Sequence, residues 1–282
     1  MKRTFIVILV ILNSSAFADE AFKSRGNVAY LFGEICKIRE SPSLDGRIMD
    51  QLTIGTAVEI IKATDVESEI DGMKDYWFEI RAKNPKGVTV TGAVWGGLLC
   101  SHYLEKDIDG DGKKEILLVG NTGNRNVKNK KNVEIRIVKN GRMASKFGFS
   151  LYTLNKIGAL SPMDFDDYRI GDAKLKAPGQ LGPDVCLLVL TYSYDHVAYP
   201  GSGEVIIALK GKDLKDAIYT ASYSGEALTQ LPSVIYPIDE GGKKGTVIVS
   251  YACSTWEGPG TEARDRELKE TYTWNGTRFV KK

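Results

Sequence analysis

The chain has 282 residues, with 38 Lys or Arg against 36 Asp or Glu and a hydrophobic fraction of 43%, enough for one large or two modest folded domains and too apolar for a disordered chain. Basic and acidic residues are so nearly balanced that there is no basic field to hold a phosphate backbone, which argues against nucleic acid as a partner. Past the N-terminus no segment offers the roughly 20 consecutive apolar residues of a membrane-spanning helix, so membrane insertion is not expected.

Lys2 and Arg3 precede the apolar run Phe5 to Leu12, then Asn13-Ser14-Ser15 and the small-residue pattern Ala16-Phe17-Ala18. This three-region order is that of a secretory signal cleaved after Ala18, so residues 1–18 are expected to be a leader and the chain to be exported, to the periplasm or the medium. In such a compartment the even set Cys36, Cys100, Cys186 and Cys253 suggests two disulfides, for which three pairings exist. The first two cysteines bracket one candidate domain and the last two lie in the remainder, which favours Cys36 with Cys100 and Cys186 with Cys253. A zinc site would need close pairs such as C-x-x-C, and none is present.

From Val28 to Leu104 short alternating apolar runs are separated by turn residues, the pattern of a small all-β barrel. Four blocks follow one another: Cys36-Lys37-Ile38-Arg39-Glu40-Ser41-Pro42-Ser43, Leu52-Thr53-Ile54-Gly55-Thr56-Ala57-Val58-Glu59-Ile60, Tyr76-Trp77-Phe78-Glu79-Ile80, and Gly92-Ala93-Val94-Trp95-Gly96-Gly97-Leu98-Leu99. In this order they resemble the bacterial SH3-like (SH3b) domain. The resemblance implies a compact barrel over 28–104 that binds peptidoglycan peptides or partner proteins and carries no chemistry. Two loops depart from the pattern, the acidic stretch Thr64 to Asp75 and Lys83 to Thr91. Trp77 and Trp95 are candidate groove aromatics, flat amphipathic rings suited to peptide contact; the other reading is that each fills the barrel core.

The segment Asp107-Ile108-Asp109-Gly110-Asp111-Gly112-Lys113-Lys114-Glu115 comes next. Carboxylates at its first, third, fifth and ninth positions converge if the loop wraps, and Gly110 and Gly112 permit the tight turns. A hard cation, Ca²⁺ above all, is the expected guest. An EF-hand would need a glutamate at position twelve, where Leu118 stands. The loop is similar instead to the D-x-D-G-D-G-x-x-[DE] loop of FG-GAP and VCBS repeats, which implies Asp107, Asp109, Asp111 and Glu115 as side-chain ligands and Lys113 as a backbone-carbonyl ligand. A solvated Asp-Gly turn is the plainer alternative, although three aspartates within five residues repel one another without a counterion.

Residues 105–282 read as a weak repeat of about three hairpin units. Glu115 to Val119, Asp184 to Val189 and Gly245 to Ser250 are each followed by a second strand, Val133 to Gly141, Glu204 to Gly211 and Glu270 to Gly276. Gly241-Gly242-Lys243-Lys244 in the third copy repeats Asp111-Gly112-Lys113-Lys114 without its carboxylates, so one cation site is expected. The fold class is therefore all-β: a small barrel and a larger domain of propeller-blade-like or sandwich-like hairpins, too few for a closed propeller.

Enzyme chemistry finds little footing. The histidines are His102 and His196. A Cys-His pair would draw on Cys186 or Cys253, both in apolar strand runs rather than at helix starts where a thiolate is stabilised. Gly201-Ser202-Gly203 lacks the G-x-S-x-G spacing of a hydrolase elbow, and Asp164, Asp166 and Asp167 read as an acidic loop rather than a glycosidase pair. The polar run Asn124 to Asn132 and the loop Trp256 to Gly260 are possible contact points. The reading that results is an exported envelope binding or scaffold protein, not an enzyme, with one structural Ca²⁺ and peptidoglycan or an envelope protein as partner. An envelope hydrolase and a secreted Ca²⁺-dependent adhesin are the alternatives.

Overall fold

The computed structural model describes residues 19–122, 133–149, 167–176, 179–195, 201–224, 228–255 and 264–282. The expected leader, His196, Asp164, Asp166, Asn124 to Asn132 and Trp256 to Gly260 lie outside the described residues. Among these the chain is all-β, with a single 3-10 turn at Gly96–Leu98.

Two short strands, β1 (Glu20–Ala21) and β2 (Lys23–Ser24), precede a six-stranded antiparallel sheet. It comprises β3 (Val28–Tyr30), β4 (Ile35–Arg39), β5 (Ile48–Thr53), β6 (Ala57–Ile70), β7 (Met73–Lys83) and β8 (Thr89–Trp95), in the order β3-β6-β7-β8-β4-β5. Side chains alternate faces along a strand, so in β4 Cys36 and Ile38 are fully buried while Ile35 and Lys37 are exposed. All six strands send residues into one core, among them Ala29, Ile38, Leu52, Val58, Ile80 and Val94.

The acidic stretch Thr64 to Asp75 is not a loop. It forms the far half of the β6–β7 hairpin, closed by Asp71-Gly72 with φ of 53° and 75°, the left-handed pair whose twist matches that of a two-residue hairpin turn. This extension covers the two tryptophans. Trp77 Nε1 donates to Ser68 Oγ at 2.8 Å, and Trp95 Nε1 donates to the backbone oxygens of Ser68 and Asp75 at 3.2 and 3.1 Å. Trp77 and Trp95 are buried in a cluster with Met73 and Ala93, so both are core residues, although Trp95 also borders a small pocket of about 150 Å³ shared with Phe32, Met73 and Arg136. Gly97 is required here, because a Cβ on it would lie 2.3 Å from Trp95 ring atoms.

β9 (His102–Lys106), β10 (Glu115–Asn121), β11 (Val133–Lys139) and β12 (Arg142–Phe149) join β2 in a five-stranded sheet ordered β12-β11-β10-β9-β2; β9 therefore straddles the boundary expected at 104. Both faces of this sheet are covered, as the unbroken apolar run of β10 suggests. Leu117, Val119, Ile135 and Ile137 enter one core, while Leu118 and Val138 enter the core of the six-stranded sheet. At that seam the Phe32 ring lies against Gly120, whose absent Cβ would sit 2.9 Å from ring carbons. The Arg136 guanidinium stacks 4.1 Å from the Phe32 centroid and donates to its backbone oxygen.

A ten-stranded antiparallel sheet completes the fold. It contains β13 (Asp167–Lys176), β14 (Val185–Asp195), β15 (Gly201–Lys210), β16 (Asp213–Tyr219), β17 (Ser222–Ser224), β18 (Leu228–Ile235), β19 (Thr246–Thr255), β20 (Arg264–Trp274) and β21 (Phe279–Lys281). Their order is β1-β13-β14-β15-β17-β18-β19-β20-β21, with β16 also on β15. Leu188, Leu190 and Ile207 pack against the five-stranded sheet; Leu187, Val189 and Ile206 point the other way and meet Val247 and Val249 of β19, so the sheet doubles back on itself. The three hairpins expected from sequence, β10–β11, β14–β15 and β19–β20, all pair. They are not three equivalent blades, because the first belongs to the middle sheet and the other two to the large one.

All four cysteines are thiols, which corrects both expected disulfides. Cys186 packs with the residues facing the five-stranded sheet and Cys253 with those on the opposite face, so the sheet separates them. Cys36 and Cys100 share one core but are engaged apart: Cys36 Sγ donates to the Gly33 oxygen at 3.5 Å, and the Tyr30 N–H donates to Cys100 Sγ at 3.4 Å. Burial pushes these thiols up to about 12 and about 11, keeping both protonated and inert.

Candidate cation site

The Asp107 loop wraps, as its residue types predict. Asp107 accepts the N–H groups of Gly110 and Gly112 on its two oxygens, each at 2.8 Å, and these glycines hold φ of 78° and 83°, a region only glycine enters freely. Asp111 Oδ1 accepts the Lys113 N–H at 2.9 Å, and Glu115 Oε2 accepts the Ile108 N–H at 2.9 Å. Asp107, Asp109 and Glu115 each place an oxygen within 4.8 Å of the others. Glu115 opens β10 and is fully buried; Asp111 and Lys113 stand at the exposed end of the turn.

A residue outside the loop completes the cluster. Lys139, the last residue of β11, is brought alongside by the β10–β11 register, in which Ile116 faces Val138. Its Nζ lies 2.7 Å from Asp109 Oδ2, 2.8 Å from Asp111 Oδ2 and 2.7 Å from Glu115 Oε1. The Asp109, Asp111 and Glu115 carboxylates hold the Lys139 ammonium well above the ordinary lysine range, and Lys139 in turn pulls Asp111 below the usual carboxylate range. The contact to Asp109 is a hydrogen bond. At Glu115 the contact is ionic, with the oxygen off the axis of a hydrogen bond.

The donor set is the all-oxygen set that Ca²⁺ takes, at 2.3–2.6 Å from each oxygen. Two of the three converging carboxylates, Asp109 and Glu115, are already engaged by the Lys139 ammonium together with Asp111, so a metal ion held by Asp109 and Glu115 has to displace Lys139. Lys139 was not evident as a site residue from local spacing. The signal that would have found it is the hairpin pairing itself, which makes the residue before Asn140-Gly141 a neighbour of Glu115.

Beside the loop runs an open cleft of about 780 Å³, with Ile108, Leu175 and Cys186 on its apolar side and Lys106, Asp184, Lys210, Asp213 and Lys215 among its charged walls. A smaller groove of about 440 Å³ lies on the six-stranded sheet, between β3, β6 and β7. His102 is buried in β9 beside Ser101 Oγ at 3.2 Å, and desolvation lowers its pKa. Ser202 lies in β15, its hydroxyl 3.0 Å from that of Ser222, and Asp167 begins β13.

Comparison with known proteins finds no matching family model, and neither a curated protein nor a solved structure with significant similarity. Function is therefore argued from the residues and their geometry.

Proposed function

We propose that the chain is an exported binding or scaffold protein of the bacterial cell envelope, in the periplasm or secreted. Its SH3b-like N-terminal region docks a peptidoglycan peptide or an envelope protein, and its larger β domain presents a second surface; it performs no catalysis. The observation that carries this reading is the groove on the six-stranded sheet. The exposed Val28 and Ala57 give it an apolar floor over the buried core residues Val58 and Ala82, and Glu59 and Arg81 stand on its rim, 2.9 Å apart and each about half exposed (54% and 51%). A floor of short side chains admits an extended peptide with small residues, and an exposed ion pair contributes little by itself, so each charge is free to pair anew with a peptide's amine or carboxylate.

A structural Ca²⁺ in the Asp107 loop is a second reading, favoured by the convergence of Asp107, Asp109 and Glu115 oxygens. Co-sedimentation of the mature protein with purified sacculi, with Ca²⁺ and with chelator, tests the first. Saturable pelleting, weakened by Arg81→Glu, is the expected result. Absence of pelleting would overturn wall binding and turn the search to a protein partner.

A further inference from the structure

We infer that Lys139 is the resident cation of the Asp107 loop, so that the loop holds its shape without a metal ion.

The argument begins with how the carboxylate oxygens are used. Both Asp107 oxygens are taken by the backbone N–H groups of Gly110 and Gly112, one Asp111 oxygen by the Lys113 N–H, and one Glu115 oxygen by the Ile108 N–H. Asp109 Oδ2, Asp111 Oδ2 and Glu115 Oε1 then converge on one point, and the Lys139 nitrogen sits on it at 2.7–2.8 Å. The ammonium donates a hydrogen bond to Asp109 and lies in ion-pair contact with Asp111 and Glu115, so one positive charge is shared by three carboxylates. Glu115 is fully buried and its side chain 0% exposed, and a buried carboxylate without a counter-charge is strongly unfavourable; Lys139 supplies that charge from within the chain. The lysine side chain is itself only 16% exposed, so it is enclosed by the loop rather than resting on the surface.

A Ca²⁺ held by Asp107, Asp109 and Glu115 would need their oxygens at 2.3–2.6 Å, and Asp109 and Glu115 are carboxylates that Lys139 already engages. The two cations compete for these two carboxylates, so admitting the metal means breaking the Lys139 contacts to Asp109 and Glu115. The loop thus keeps the carboxylate framework of a cation site while the neighbouring hairpin strand provides the cation. This inference concerns the loop for which Ca²⁺ is the second reading, is its direct alternative, and is independent of the groove.

The test uses the metal-stripped mature protein. Thermal unfolding in excess EDTA and in millimolar CaCl₂ should give one Tm for the wild type, and calorimetric titration of Ca²⁺ should give no binding isotherm. Lys139→Met should lower Tm in EDTA, recover it in CaCl₂, and bind Ca²⁺ at one site, since three unpaired carboxylates are then left facing one another. Wild-type binding of one Ca²⁺ with a rise in Tm would overturn the inference and establish the metal reading. A Lys139→Met protein as stable as wild type in EDTA would overturn it too. Should that variant fail to fold, the wild-type titration decides alone, and the sacculus experiment is unaffected by either outcome.

Discussion

Two turns of this protein share a Gly-Lys-Lys core and differ in everything that charge can change. The first, residues 107–115, enters β10; the other, 236–245, enters β19. Both bend through left-handed glycines, Gly110 and Gly112 in one and Gly241 (φ 75°) and Gly245 (φ 79°) in the other. In the first, side-chain carboxylates cap the turn and enclose Lys139. In the second, backbone does most of this work: Gly242 donates to the Asp239 oxygen at 2.8 Å and lies so close to Tyr236 that a Cβ would be 2.1 Å from its oxygen. A lysine approaches here as well, Lys176, 4.0 Å from the Tyr236 ring centroid and 3.9 Å from Asp239, but it pairs more closely with Asp19 at 3.2 Å. Glycine thus sets the shape of such a turn, and carboxylate density decides whether it becomes a cation cage.

The strands that follow differ in the same sense. Leu117 and Leu118 of β10 are both fully buried, on opposite faces, whereas in β19 Val247 and Val249 are buried and Ile248 between them is only half-buried. The largest expected effect follows from this contrast: Leu118→Ala should cost about 2–5 kcal/mol, the range for a cavity in a closed core, and Ile248→Ala about 1 kcal/mol, both read from urea unfolding. Equal losses would mean that β10 is not covered on both faces.

Next in size comes the charge contrast. Glu115→Gln breaks a buried pair and should lose roughly 3 kcal/mol, the lower end for such a change. Asp239→Asn, at a half-exposed site (42%), should lose less than about 1 kcal/mol. A Glu115→Gln protein of wild-type stability would remove the case for a charged cage.

The smallest effect concerns pH and His102, on the strand that precedes the first turn. Its folded pKa lies below the ordinary value of 6.5 because burial disfavours the imidazolium. The unfolded chain then takes up the proton first as pH falls. The histidine's contribution is complete above about pH 6.5 and is lost as pH drops through the lowered value. Urea midpoints measured from neutral pH to about pH 5 should fall more steeply in wild type than in His102→Asn; parallel curves would show that this imidazole titrates normally.

Much of the fold was legible because its determinants are local. Alternation in β4 and the apolar runs of β10, β14 and β19 mark strands wherever they later pack, and antiparallel hairpins pair neighbours in the chain. The wrapped Asp107 loop was legible for the same reason, since its capping groups lie within nine residues. The tryptophans stayed open between groove and core because burial depends on what lies above them. In Thr64 to Asp75 the Asp71-Gly72 pair flanked by Ile70 and Met73 is a local hairpin signal, but nothing local says that the hairpin roofs the tryptophans, and its Ser68 and Asp75 acceptors matter only once β6 and β7 extend past the sheet. The cysteines misled because parity along one strand does not tell which face another strand presents, and Cys186 and Cys253 fall on opposite sides of a sheet that doubles back.

By itself, then, the sequence determined that this is an all-β chain with three pairing hairpins and one carboxylate-rich turn, for these follow from side-chain period and from glycine in short stretches. Only the tertiary structure decided that the two tryptophans are covered, that the four thiols stay apart, and that Lys139 reaches the centre of the carboxylates. Each of those depends on strand register and on which sheet face meets which, relations between distant residues that no local pattern carries.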